Sequence, residues 1–235
     1  NSSWGIHRPG HLRRLSAQRC MERVTGRQAD HDGLEPFDNR SEILLRQQRA
    51  LQDEAAAVMA ELDLSRRLAS FGPAYLTGSF VSGLMVWREL DIMFLGGPEL
   101  SPTDVLAGLT RLVVLPGIVG FEYVDERGNR SPTGQSRDER FHVAVTYFRS
   151  GESWRLDLTF WLHDAHENVT AWHRNLRDSL TAEQREAILW IKDVWCRRDG
   201  YPGSISGVDI YQAVLEHDVR TPAEFQRWLA LSKSA

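Results

Sequence analysis

The chemistry-bearing residues of this chain stand close together. Leu76-Thr77-Gly78-Ser79 ends one short apolar run, and Glu89-Leu90-Asp91 opens the next after nine intervening residues. Both runs read as strands. Alternation along a strand turns residues i and i+2 to one face, so Glu89 and Asp91 can serve a single site. Two carboxylates held that close repel each other unless a cation neutralises them. Mg²⁺ suits such a pair, because it takes a few carboxylate oxygens and completes its shell with substrate phosphates. Gly78 lets the chain turn tightly and a phosphate approach the backbone. Ser79 then presents its hydroxyl and amide at the start of the following helix. A third acid, Asp157, sits in the strand-like run Trp154-Arg155-Leu156-Asp157-Leu158-Thr159-Phe160. The plainer alternatives are a solvated edge-strand face for Glu89 and Asp91, and an ion pair with Arg155 or Arg140 for Asp157.

Together these segments resemble the signature of the DNA polymerase β-like nucleotidyltransferase superfamily. That signature is a strand, Gly-Ser or Gly-Gly, a short spacer, acid–hydrophobic–acid on a second strand, and a third carboxylate on a later one. The first acid here is Glu where the family more often has Asp. The resemblance implies that Glu89, Asp91 and Asp157 are catalytic and hold Mg²⁺, with Mn²⁺ as a substitute. It also implies that Gly78, Ser79, Lys192 and Ser206 bind the nucleotide. Ile191-Lys192-Asp193, the end Arg197-Arg198-Asp199-Gly200, and Tyr201-Pro202-Gly203-Ser204 before Ser206-Gly207 are loosely similar to the helical lobe of the archaeal-type CCA-adding and oligoadenylate synthase branch. There a Lys-bearing helix and a Gly-Ser segment flank the triphosphate. Of the 28 basic residues only Lys192 and Lys233 are Lys, which favours Lys192 as a compact ammonium on a phosphate; the alternative is a surface Lys on an amphipathic helix.

The reaction implied is nucleotidyl transfer, in which an acceptor hydroxyl attacks the α-phosphorus of a nucleoside triphosphate such as ATP and releases pyrophosphate. A small, antibiotic-type acceptor is favoured over RNA. RNA or tRNA 3′-end transfer, including a tRNA-directed toxin, is the alternative, and a catalytically silent nucleotide-binding regulator is the reading from another class. His163-Asp164-Ala165-His166 reads as a turn with solvated histidines rather than a metal pair, and His142 as a satisfied sheet residue. Trp87 and Trp161 read as core rather than as base-stacking platforms.

The elements that must position these residues follow from pattern and punctuation. A helix is expected from a capping box at Asn39 and Glu42, stopped by Gly72-Pro73. Strands are expected at 74–77, 89–95, 118–124, 141–148 and 154–162, with a long hairpin loop over 127–140. Ser101-Pro102-Thr103-Asp104 starts a helix reaching about residue 115. Helices follow at 181–198, 206–217 and 222–231. The fold class is therefore α+β: a small mixed sheet carrying the carboxylates, with a C-terminal helical lobe closing a nucleotide cleft. The expected division is a basic extension over 1–38, a catalytic core over 39–164 and the helical lobe over 165–235.

Composition bounds the reading. The chain has 235 residues, 42% hydrophobic and 26% charged, with net charge −4, as in an ordinary globular protein. No apolar run is long enough to span a membrane. Two distant cysteines, Cys20 and Cys196, and no apolar leader point to the cytoplasm. Residues 1–27 carry six Arg against one Glu, a net +5, while the rest carries 22 basic and 31 acidic residues, a net −9. That acidic body speaks against a large phosphate-backbone footprint.

Overall fold

A computed structural model describes residues 37–166 and 168–232; the expectation of a basic extension falls, for residues 1–36, outside the described residues. By contact, the chain divides into two compact units. One runs over 51–179, and the other joins residues up to 50 with 180 onward.

The first unit is built on a five-stranded mixed sheet. Its strands are β1 (Ala74–Thr77), β2 (Glu89–Leu95), β3 (Ile118–Glu126), β4 (Arg140–Arg149) and β5 (Glu152–Trp161), in the order β1-β2-β5-β4-β3. Only β2 and β5 pair in parallel. Period-two alternation decides which face is which. Leu90, Ile92 and Phe94 of β2 and Leu156, Leu158 and Phe160 of β5 are all buried in the core, so Glu89, Asp91, Arg155 and Asp157 lie on the opposite face. Phe94 stacks on Phe160 with ring centroids 5.0 Å apart, and Phe71 meets Phe160 edge-on at 4.8 Å. Helix α1 (Phe37–Leu62) contributes Val58 and Leu62 to this core, and α4 (Pro102–Val113) contributes Val105, Leu109 and Leu112. The helix start expected at Ser101-Pro102-Thr103-Asp104 is present, and Ser101 and Asp104 form a capping box there.

Several boundaries differ from expectation for local reasons. α1 is already helical at Phe37, so Asn39 lies in its first turn rather than capping it. The helix breaks at Asp63, whose φ of 45° is left-handed. Asp tolerates that region better than most residues, and only the short α2 (Leu64–Arg67) and a single 3₁₀ turn continue to Gly72. The loop over 127–140 carries two 3₁₀ turns, Gly128–Arg130 and Ser136–Asp138. Helix α3 (Gly78–Ser82) directly follows β1, and α5 (Val169–Ser179) packs against both. The Thr170 hydroxyl of α5 donates to the Leu76 carbonyl at 2.8 Å, which ties that helix to the strand end before Gly78.

The second unit is helical. It contains the start of α1, α6 (Ala182–Trp195), α7 (Gly207–His217) and α8 (Pro222–Ser232). Thr181 caps α6 through a capping box with Gln184. Trp195 meets Phe225 edge-on at 5.1 Å in its core. Among the described residues, no helix is long and apolar enough to cross a membrane.

Candidate active site

Register brings the three acids together. Thr77 lies opposite Asp91 across the β1–β2 pair. On the parallel side of β2, Glu89 faces Arg155 and Asp91 faces Asp157. Glu89, Asp91 and Asp157 each offer an oxygen, and these oxygens lie within 4.8 Å of one another. Among the described residues, no other group of three or more His, Cys, Asp or Glu converges in this way. The solvated edge-strand alternative fails, because β2 lies between β1 and β5 and the Glu89 side chain is only 11% exposed.

Gly78 closes the site from the β1 side. Its φ is +64°, a conformation glycine adopts without strain. A Cβ there would overlap the Asp91 Oδ2, so the backbone turn and the carboxylate share one tight space. Ser79 is buried, and its carbonyl accepts from the Leu84 amide at 2.9 Å. The Ser82 hydroxyl donates to the Gly78 carbonyl at 3.1 Å and holds the turn closed.

Electrostatics mark the triad as short of positive charge. Burial pushes the Glu89 carboxyl well above the usual carboxylate range; the neighbouring charges of Asp91 and Asp157 push it further, and Arg155 offsets only part. The Arg155 Nε lies 2.9 Å from Asp157 Oδ1 and 3.8 Å from Glu89 Oε1. The ion pair weighed as an alternative for Asp157 therefore exists alongside the convergence of the acids. His142 Nε2 stands 3.5 Å from the same Asp157 oxygen. His142, expected as an ordinary sheet histidine, comes near Asp157 through the β4–β5 register, in which it faces Thr159. Hard carboxylate oxygens, crowded and partly desolvated beside a glycine turn, form a donor set that fits Mg²⁺ or Mn²⁺.

Lys192 and Ser206 belong to the helical unit. Lys192 is 1% exposed and donates to the Tyr211 hydroxyl at 3.4 Å, which excludes the surface-lysine alternative. The Ser206 hydroxyl donates to Asp209 at 2.9 Å, and the Ser206 amide donates to the same carboxylate at 2.8 Å. Ser206 thus caps α7. His163 pairs with Glu139 at 3.4 Å, while His166 stacks on Trp161 and approaches Asp138 at 3.2 Å. They serve two separate carboxylates rather than one metal. Trp161 is covered by His166 and by the Arg140 guanidinium, in keeping with a packing role.

No protein-family model matches the chain, and no curated protein matches it in sequence. Solved structures do. The GLD-2–GLD-3 poly(A) polymerase complex aligns over 79% of this chain and 61% of its own, at 13% identity and a TM-score of 0.50. What that likeness shows is the fold: the mixed sheet with its helices is shared with this complex. Cid1, solved with the UTP analogue UMPNPP, aligns over 76% of this chain at 16% identity and a TM-score of 0.46. Terminal uridylyl transferase 4 from Trypanosoma brucei, solved with UPU, aligns over 74% at 18% and 0.41. The chain spans only 54% of the Cid1 chain and 60% of the uridylyl transferase.

Proposed function

We propose that this protein is a metal-dependent nucleotidyltransferase of the cytoplasm that joins a nucleoside monophosphate, taken from a nucleoside triphosphate, to the 3′-terminal hydroxyl of an RNA. The observation that carries the reading is the convergence of Glu89, Asp91 and Asp157 beside the Gly78 turn. Intact acids speak against a silent nucleotide-binding regulator. For the acceptor, the fold likeness to a poly(A) polymerase moves the expectation from a small molecule to an RNA end.

In the reaction, the acceptor oxygen bonds to the α-phosphorus, the bond from that phosphorus to the β-phosphate oxygen breaks, and pyrophosphate leaves. Such transfer depends on positioning and charge neutralisation more than on covalent catalysis. Glu89, Asp91 and Asp157 would hold Mg²⁺, or Mn²⁺ in its place, which when bound neutralises triphosphate charge and acidifies the attacking hydroxyl. Asp157 would complete the metal's ligands or take the acceptor proton, with His142 Nε2 3.5 Å from its carboxylate. Gly78 gives a phosphate access to the backbone, and Ser79 supports that turn.

The test is incubation with each nucleoside triphosphate labelled at the α-phosphate, Mg²⁺, and RNA ending in either a 3′-hydroxyl or a 3′-phosphate. Label should enter only the 3′-hydroxyl RNA. Label passing instead into a small metabolite from an added extract would return the acceptor to the small-molecule class. Triphosphate binding without any transfer would leave the regulator.

A further inference from the structure

Arg155 stands inside the acid site. It lies two residues before Asp157 on β5, on the same face, and directly opposite Glu89 on β2. Its Nε donates a hydrogen bond to Asp157 Oδ2 at 3.2 Å and stands 2.9 Å from Oδ1, within ion-pair distance, while Glu89 Oε1 lies 3.8 Å away. The guanidinium is always protonated. We propose that Arg155 is a built-in counter-ion that competes with the divalent cation for Asp157, and so sets the metal concentration at which the site fills.

The competition rests on the metal-site reading above and follows from charge and space. Three carboxylates this close need positive charge in the absence of metal, and Arg155 supplies it. Mg²⁺ binds carboxylate oxygens at roughly 2.0–2.1 Å, and the two Asp157 oxygens already stand 2.9 and 3.2 Å from the Arg155 Nε. A cation on Asp157 and a guanidinium against the same oxygens repel strongly, so one must leave. The Arg155 side chain is 26% exposed, which gives it a way out toward solvent. The charge of Glu122 on β3 also acts on Arg155. A merely structural arginine would weaken metal binding when removed, because the ligands would lose their placement. A competing arginine gives the opposite sign.

The experiment titrates MnCl₂ into the full chain by calorimetry without nucleotide, and measures the melting temperature in EDTA, for wild type, Arg155→Met and Arg155→Lys. The expected result is an Mn²⁺ Kd at least about tenfold lower for Arg155→Met, together with a lower melting temperature in EDTA. Arg155→Lys keeps the charge and should stay near wild type on both counts. It also keeps the comparison readable if Arg155→Met folds poorly, since a folded Arg155→Lys with a much tighter Kd than wild type would contradict competition by charge. If wild type binds Mn²⁺ and Arg155→Met binds it equally or more weakly, the proposal is overturned while the metal-site reading stands. If only Arg155→Met binds, competition is upheld and the metal-dependent reading of the wild type falls. If neither binds, both fall.

Discussion

A side chain at Gly78 would occupy the space held by the Asp91 carboxylate, and the backbone there is left-handed at φ +64°. Two penalties therefore act on Gly78→Ala: backbone strain of about 1–2 kcal/mol, and displacement of a carboxylate from the triad. Its stability should fall by roughly that strain, and its Mn²⁺ affinity should fall about tenfold or more. Thermal melting and Mn²⁺ titration check the two together; unchanged affinity would show that Asp91 has room to move. At this scale the acids and Gly78 were readable in the sequence, because strand alternation and a turn glycine are local properties. Arg155 was readable only as one ion-pair partner for Asp157, and His142 only as a sheet residue. Their places beside Asp157 arise from register between strands distant in sequence. Lys192 was singled out by composition, but its burial under Tyr211 depends on packing between helices that a single periodicity cannot report.

β2 carries two of the three acids, and its start is held by the residue just before it. Arg88 gives two hydrogen bonds to Glu54 of α1, from Nε at 2.7 Å and from the second guanidinium nitrogen at 3.1 Å, and it pairs with Glu152 of β5 at 3.2 Å. Its carbonyl accepts the Arg155 amide at 3.0 Å, which continues the parallel ladder past Glu89. The Arg88 side chain is only 9% exposed, while its partners are 36% and 41% exposed. Solvent at the acids tempers the value of the pairs. Arg88→Met should therefore cost about 2 kcal/mol, the range of one charged hydrogen bond, rather than the larger loss of a fully buried pair. Urea denaturation measures it, and a loss under about 0.5 kcal/mol would reduce Arg88 to a surface contact. Most elements were readable from apolar period and from helix starts such as Ser101-Pro102. The differences have local causes. Asp63 in a left-handed conformation broke a helix that the apolar pattern alone would have carried on, and the long loop hid two short turns whose bonds are strictly local.

Across the whole molecule, the alternation of apolar strands with helices and the all-helical last third made the α+β class readable. What the chain could not declare is the acceptor. Net charge describes the sum over a surface, and a net −9 after residue 27 says nothing about where a short basic path could guide an RNA end. The central claim is that three carboxylates from two neighbouring strands perform metal-dependent transfer of a nucleotidyl group. It is tested most directly by the rate of label transfer from α-labelled triphosphate for wild type, Glu89→Gln, Asp91→Asn and Asp157→Asn, each in Mg²⁺ and in excess EDTA. The account predicts transfer by the wild type in Mg²⁺ alone, and losses of about a thousandfold in each variant with unchanged far-UV circular dichroism. Wild-type turnover in excess EDTA, or a folded Asp157→Asn variant working at the wild-type rate, would contradict it.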